Sequence, residues 1–165
     1  MVNLARLLLT GKNLNGARLL LEEAVPYHQA ALKASPGHPA YRNFYRLNRW
    51  RMAETLLELK DHVGAASSAG QFLETAVDPP RDSYTTACLL AGCVRLAAQD
   101  DRLSEIKRQE LVTTYGDSAL AALRQAIAKE ATEVIQMAKD PSLEPLGSRP
   151  DFQKLLAELK AKSKP

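Results

Sequence analysis

Three proline-marked breaks, with an unbroken helical period between them, constrain this chain most. The breaks fall at Ser35-Pro36-Gly37-His38-Pro39, at Asp78-Pro79-Pro80-Arg81-Asp82, and from Asp140-Pro141 to Ser148-Arg149-Pro150. Proline lacks the N–H a helix needs, and its ring collides with the preceding turn. Between the breaks apolar residues recur at helical spacing, and no strand-like alternation occurs. Ala and Leu dominate the apolar residues, and both lose little freedom in a helix. The pattern predicts an all-α chain. A length of 165 residues suits one domain spanning 1–165.

The spacing predicts a first long helix from Asn15 to Ala34, with Leu20, Leu21, Ala24, His28, Ala31 and Leu32 on one face. Pro26 lies inside it and predicts a kink or short break near Val25. A second helix is expected from Ala40 to Leu59, and a third from His62 to Val77 with Asp61 capping its start. A fourth should run from Ser83 to Ala98. A fifth should start near Arg102 and be interrupted or ended at Tyr115-Gly116-Asp117, with Asp117 capping a sixth that reaches Lys129. A short helix from Thr132 to Lys139 can follow. The pattern from Ser148 suits the start of a last helix over about 150–161, where Phe152, Leu155, Leu156 and Leu159 form one stripe. The polar tail, 162–165, should fray.

Short connections make sequential helices antiparallel neighbours. Stacked hairpins of this kind build a short, right-handed, tetratricopeptide-like solenoid, and a closed bundle is the competing arrangement. The small–x3–large–x2–Ala–x4–Pro spacing of tetratricopeptide hairpins is met by Ala24, His28, Ala31 and Pro36. Ala119, Leu123 and Ala126 after Gly116-Asp117 fit it without the proline, and Ala65, Ala69 and Phe72 fit it loosely.

Three stretches carry a closer resemblance. They are Glu22-Glu23-Ala24-Val25-Pro26-Tyr27-His28-Gln29-Ala30-Ala31-Leu32, Tyr41-Arg42-Asn43-Phe44-Tyr45-Arg46 and Arg149-Pro150-Asp151-Phe152-Gln153-Lys154-Leu155-Leu156. Together they resemble the C-terminal tetratricopeptide region of multidomain bacterial serine/threonine protein kinases, over about 3–159. The resemblance implies the helical-repeat fold and a kinase-associated interaction role. The chain departs from the family at Lys129-Glu130-Ala131, where a Gly often follows the sixth helix. The kinase parts themselves are missing: no Gly-rich phosphate loop, His-Arg-Asp loop or Asp-Phe-Gly occurs.

No constellation of catalytic residues stands out, so a binding module rather than an enzyme is expected, with no metal and no cofactor. His28, His38 and His62 share no helical or metal-ligand spacing. Ser67-Ser68 and Thr85-Thr86 have no adjacent base to activate them. Cys88 and Cys93 would point about 140° apart on one helix, which argues against a disulfide and for a reducing compartment. No apolar run is long enough for a membrane span, and no secretion signal is visible, so a cytoplasmic location is the default. A net charge of +3, from 22 basic and 19 acidic residues, does not argue for nucleic acid.

One stretch rises above this background. Arg42, Arg46 and Arg49 fall within about 60° of one another on the second helix, with Lys60 on the same side. Tyr41, Phe44, Tyr45, Met52 and Leu59 share a neighbouring face. Read functionally, Arg42, Arg46, Arg49, Lys60 and Tyr45 line a groove and meet the carboxylates of an acidic peptide or protein. Read plainly, the aromatics are core and the arginines are a solvated face. Single-stranded nucleic acid is a third reading. A spacer or a self-associating homo-oligomer, pairing through exposed end helices, is the alternative function.

Overall fold

The computed structural model describes residues 2–129 and 139–162. Among these the chain is helical throughout, without a strand. The helices are α1 (Val2–Thr10), α2 (Leu14–Ala34), α3 (Pro39–Glu58), α4 (His62–Glu74), α5 (Pro79–Ala98), α6 (Glu105–Lys129), a 3-10 helix η1 (Pro141–Leu146) and α7 (Pro150–Lys162). They fall into two compact units, Met1–Val77 and Asp78–Pro165.

In the first unit one local device is used twice, 48 residues apart. At the end of α1, Asn13 N–H donates to the Leu8 carbonyl at 2.8 Å and Lys12 N–H to Leu9 at 3.1 Å. At the end of α3, Asp61 N–H donates to Leu56 at 2.8 Å and Lys60 N–H to Leu57 at 3.1 Å. Each is a helix stop closed by a residue in the left-handed conformation: Lys12 has φ 60° and Lys60 φ 61°. The next residue then starts the following helix. Asn13 accepts from Gly16 N–H at 3.0 Å, and Asp61 accepts from Gly64 N–H at 2.9 Å, as expected for Asp61. Stop and start are thus fused into one tight turn, which fixes α1/α2 and α3/α4 as antiparallel hairpins.

The same register runs through the core. Ala5 and Ala53, Ala17 and Ala65, Leu21 and Ala69, and Ala24 and Phe72 are matched pairs, and all eight are buried. Alanines near each turn let the paired helices approach closely. Further along, bulk trades places: Leu21 with Ala24 in α2, Ala69 with Phe72 in α4. Helix α2 packs on α3, and α1 contacts both α2 and α3.

Lys12 and Lys60 occupy a conformation that costs an L-residue roughly 1–2 kcal/mol and costs glycine nothing. Lys60→Gly is therefore expected to raise the stability of this unit by about 0.5–1 kcal/mol, the remainder being lost to the freer unfolded chain. Equilibrium urea unfolding of the variant against wild type checks this, and an unchanged or lower midpoint would contradict it.

Pro26 does not break α2, which runs through it from Leu14 to Ala34. Helix α3 begins on Pro39, whose fixed φ suits a first helical position. Helix α4 ends three residues earlier than the spacing predicts. Thr75 stops it, its hydroxyl donating to the Gln71 and Phe72 carbonyls at 3.1 and 3.2 Å.

In the second unit two sequence signals are overturned. The Asp78-Pro79-Pro80 segment is the first turn of α5, not a break before Ser83. Asp78 caps Arg81 N–H at 3.4 Å, and buried Asp82 accepts from Asp78 N–H at 3.1 Å in return. Neither proline has an N–H to be satisfied at that position. Helix α6 runs unbroken through Tyr115-Gly116-Asp117. The Arg149 guanidinium lies against Gly116, where a Cβ would displace it from this position. Asp117 caps nothing; it pairs with Arg149, which also holds Asp151 at 2.8 Å and the Thr113 carbonyl at 3.4 Å. The clip ties the segment before α7 onto α6, and the adjacent carboxylates hold the Arg149 pKa above its ordinary value.

Ser148 does not cap α7; the Arg149 carbonyl accepts from Gln153 N–H at 3.1 Å. Phe152, Leu155 and Leu159 are buried as the stripe predicts, and Leu156 is half-buried. In η1, Leu143 and Leu146 are buried, and η1 packs on α5. The expected helix over Thr132 to Lys139 falls largely on 130–138, outside the described residues, as do 163–165 of the tail.

Candidate functional site

The first unit holds an open groove of about 580 Å³. Its α2 wall presents Arg18, Glu22, Val25 and Pro26. Its floor is α3, with Arg49, Met52 and Leu56. Its α4 wall presents Gly64, Ser67, Ser68 and Gln71, below the Asp61 cap.

Arg49 is the distinctive group. It is 8% exposed. Its Nε and Nη2 both donate to Oδ1 of Asn48, the former at 3.0 Å, and its Nη1 donates to Oε1 of Gln71 at 3.2 Å. Its guanidinium also lies over the Tyr45 ring, 5.4 Å from the centroid. Asn48 is fully buried, and its Nδ2 donates to the Leu21 carbonyl of α2 at 3.0 Å. A chain of amides thus runs from the α2 backbone through Asn48 to Arg49 and on to Gln71 of α4. No carboxylate among the described residues lies within ion-pair distance of Arg49. Burial lowers its pKa from the ordinary value, and Tyr45 and Glu22 oppose the shift. Arginine still keeps its proton, so the groove floor carries a buried positive charge.

The other groove charges are matched. Arg18 and Glu22 pair with each other at 2.9 Å on α2. Asp61 is engaged with the α4 N-terminus.

The five residues expected to act together separate here. Only Arg49 lines the groove. Arg42 is exposed. Arg46 is half-buried, reaching Asn43 at 3.2 Å and lying 5.1 Å from the centre of the Phe72 ring. Tyr45 sits beneath Arg49 and reaches the groove only through it. Lys60 is exposed in the turn, where its backbone conformation is its structural role. Trp50, whose packing the sequence leaves open, rests 6.1 Å from Phe72 of α4 and under the Arg51 guanidinium.

The two residues that hold Arg49, buried Asn48 and groove-lining Gln71, escape a sequence reading based on charge. Helical spacing carries a signal for the first: Asn48 stands four and seven residues before Met52 and Thr55, on the buried side of α3. Arg49 likewise falls in line with Met52 and Leu56, which marks it as interior rather than solvated.

His28, on the apolar face of α2 as expected, leaves Nε2 buried without a hydrogen-bond partner among the described residues. Burial first, and positive Arg49 second, hold its pKa below the usual histidine value. Folding thus favours the neutral ring relative to the unfolded chain. The stability this contributes is complete above about pH 6.5 and declines as pH falls below that toward the lowered folded value. Urea unfolding across this range should show wild type losing more stability than His28→Gln; parallel pH profiles would contradict it.

His62 is buried in the first turn of α4, and His38 stacks on Tyr41 at 4.1 Å. Cys88 and Cys93 are not joined in a disulfide, and burial pushes the Cys88 thiol up to about 11, which disfavours the reactive thiolate. Tyr84 of α5 donates to Asp140, which also accepts from Ser142 N–H at 2.8 Å to start η1. Burial and that bond raise the Tyr84 pKa, and the same bond lowers that of Asp140. Among the described residues no cluster of His, Cys, Asp and Glu could hold a metal ion, and no helix is long and apolar enough to cross a membrane.

Comparison with protein-family models, curated proteins and solved structures finds no match to this chain.

Proposed function

We propose that this chain is a tetratricopeptide-like interaction module that binds a protein or peptide segment in the α2–α3–α4 groove and catalyses nothing. The observation that carries the reading is Arg49: a buried cation, held by two neutral amides, on the floor of an open groove. Keeping such a charge away from water is costly, and an incoming anion would offset much of that cost. The twice-used hairpin supports a repeat architecture in the first unit. A kinase-associated setting rests on the sequence resemblance alone.

Ser67→Trp tests the reading, because it places a large ring from an exposed α4 position into the groove. Pull-downs from source-cell lysate should capture a partner with wild type and with Arg42→Ala, and lose it with Ser67→Trp. A partner kept by all three proteins, or none captured by any, overturns the groove.

Self-association is favoured by one separate observation. Leu4 and Leu7 of α1 are 51% and 60% exposed, yet they stand where the second hairpin has buried Met52 and Thr55. On α3 those positions face inward. Mass that rises with protein concentration, and returns to the monomer in Leu4→Glu/Leu7→Glu, supports this second reading. A monomer at all concentrations removes it.

A further inference from the structure

We infer that the groove selects a segment carrying one carboxylate next to an aliphatic side chain, and discriminates against polyacidic segments. The inference rests on the reading of the groove as a protein-binding site, and it names the ligand's chemistry.

Arg49 has five N–H donors, of which Nε, one on Nη1 and one on Nη2 are engaged within the protein. Two remain, one on each terminal nitrogen, enough for the two oxygens of a single carboxylate. Asn48 holds the guanidinium on two of its nitrogens and is itself anchored to the α2 backbone, so the donors are oriented before any ligand arrives. Charge-assisted bonds at a desolvated site are stronger than those at an exposed one.

The rest of the groove limits how much negative charge it accepts. Among the described residues lining the groove the other cation is Arg18, and it is paired with Glu22. Glu22 and Asp61 place two carboxylates along the same groove. A second ligand carboxylate would find no unpaired cation there and would meet like charge. Beside Arg49 the surface is apolar instead: Val25 and Pro26 on α2, Met52 and Leu56 on α3. An aliphatic side chain adjacent to the acid fits that neighbourhood.

The test is selection from a random-peptide display library on the wild-type protein, with Ser67→Trp as a counter-screen to isolate groove binders. Groove binders are expected to share one Asp or Glu flanked by Leu, Ile, Val or Met. In a synthetic peptide of the selected sequence, Glu→Gln should weaken binding roughly tenfold or more. On Arg49→Gln protein, the Glu and Gln peptides should bind within about twofold of each other. The peptide substitution on wild-type protein decides the matter even if Arg49→Gln fails to fold. Groove binders without an acid, indifferent to Glu→Gln, or enriched in acidic runs overturn the inference while leaving the groove reading intact. If no selected peptide is sensitive to Ser67→Trp, both fall together.

Discussion

Phe72→Ala is expected to lower the stability of the first unit by about 3–5 kcal/mol, the range for emptying a large aromatic from a close-packed core. Phe72 is 1% exposed and heads the fully buried side chains by size. It stands where the first hairpin has only Ala24, so the ring fills space in α3/α4 that the backbone repeat leaves open. Trp50 packs on it at 6.1 Å between ring centroids, and the Arg46 guanidinium covers it at 5.1 Å. Truncation removes the transfer energy of the ring, the aromatic contact and the cation–π contact together. The measurement is convenient, because Trp50 is the chain's single tryptophan and touches the deleted ring. Urea unfolding followed by Trp50 fluorescence therefore reports this unit specifically. A loss below about 1 kcal/mol would mean the helices collapse into the space and the packing is looser than described.

Asn48→Ala should cost about 2–4 kcal/mol, although the residue is small and carries no charge. Its amide satisfies the Leu21 carbonyl with one end and the Arg49 Nε and Nη2 with the other. Deleting it strands part of a guanidinium that is only 8% exposed. Filling the space does not cure this: Asn48→Leu should be destabilised to a similar degree, since the charge stays buried. The combination Asn48→Leu/Arg49→Met should recover most of the loss, because an apolar pair no longer needs hydrogen bonds. Strictly additive losses in this double-mutant cycle would show that Asn48 does not support Arg49. The recovered protein should fold and yet fail to hold an acidic peptide.

The same geometry corrects the expectation that Arg42, Arg46 and Arg49 form one exposed stripe. Truncating all three would not leave stability unchanged, because Arg49 is interior and Arg46 lies over the Phe72 ring. Arg42 alone fits the description of a solvated charge. Three arginines within about 60° on a helical wheel share a side of the helix, but that side is wider than the strip its neighbours bury. Spacing says which residues share a side. It does not say where along the helix burial begins.

Helix content, the Asp61 cap and the stripe of Phe152, Leu155 and Leu159 are legible from sequence because their causes lie within one or two turns. The doubled turn was also present in the sequence, but in disguise. Lys12 and Lys60 stand where glycine usually marks such a stop, and bulk is exchanged between Leu21 with Ala24 and Ala69 with Phe72. Other features depended on residues far away. Gly116 carries a strong local signal for a turn, yet α6 passes through it. The space beside it is taken by the side chain of Arg149, which crosses from a segment more than thirty positions later. Pro79 and Pro80 read as a break, yet Asp82 reaches back to Asp78 and makes them a helix start.

What the sequence by itself determined is the helical state and most of its boundaries, since propensity, period and capping act over a few residues. Only the tertiary structure decided which arginine became the buried one. That choice depends on where α2 and α4 come to lie along α3, and on an asparagine whose partner carbonyl is twenty-seven residues away.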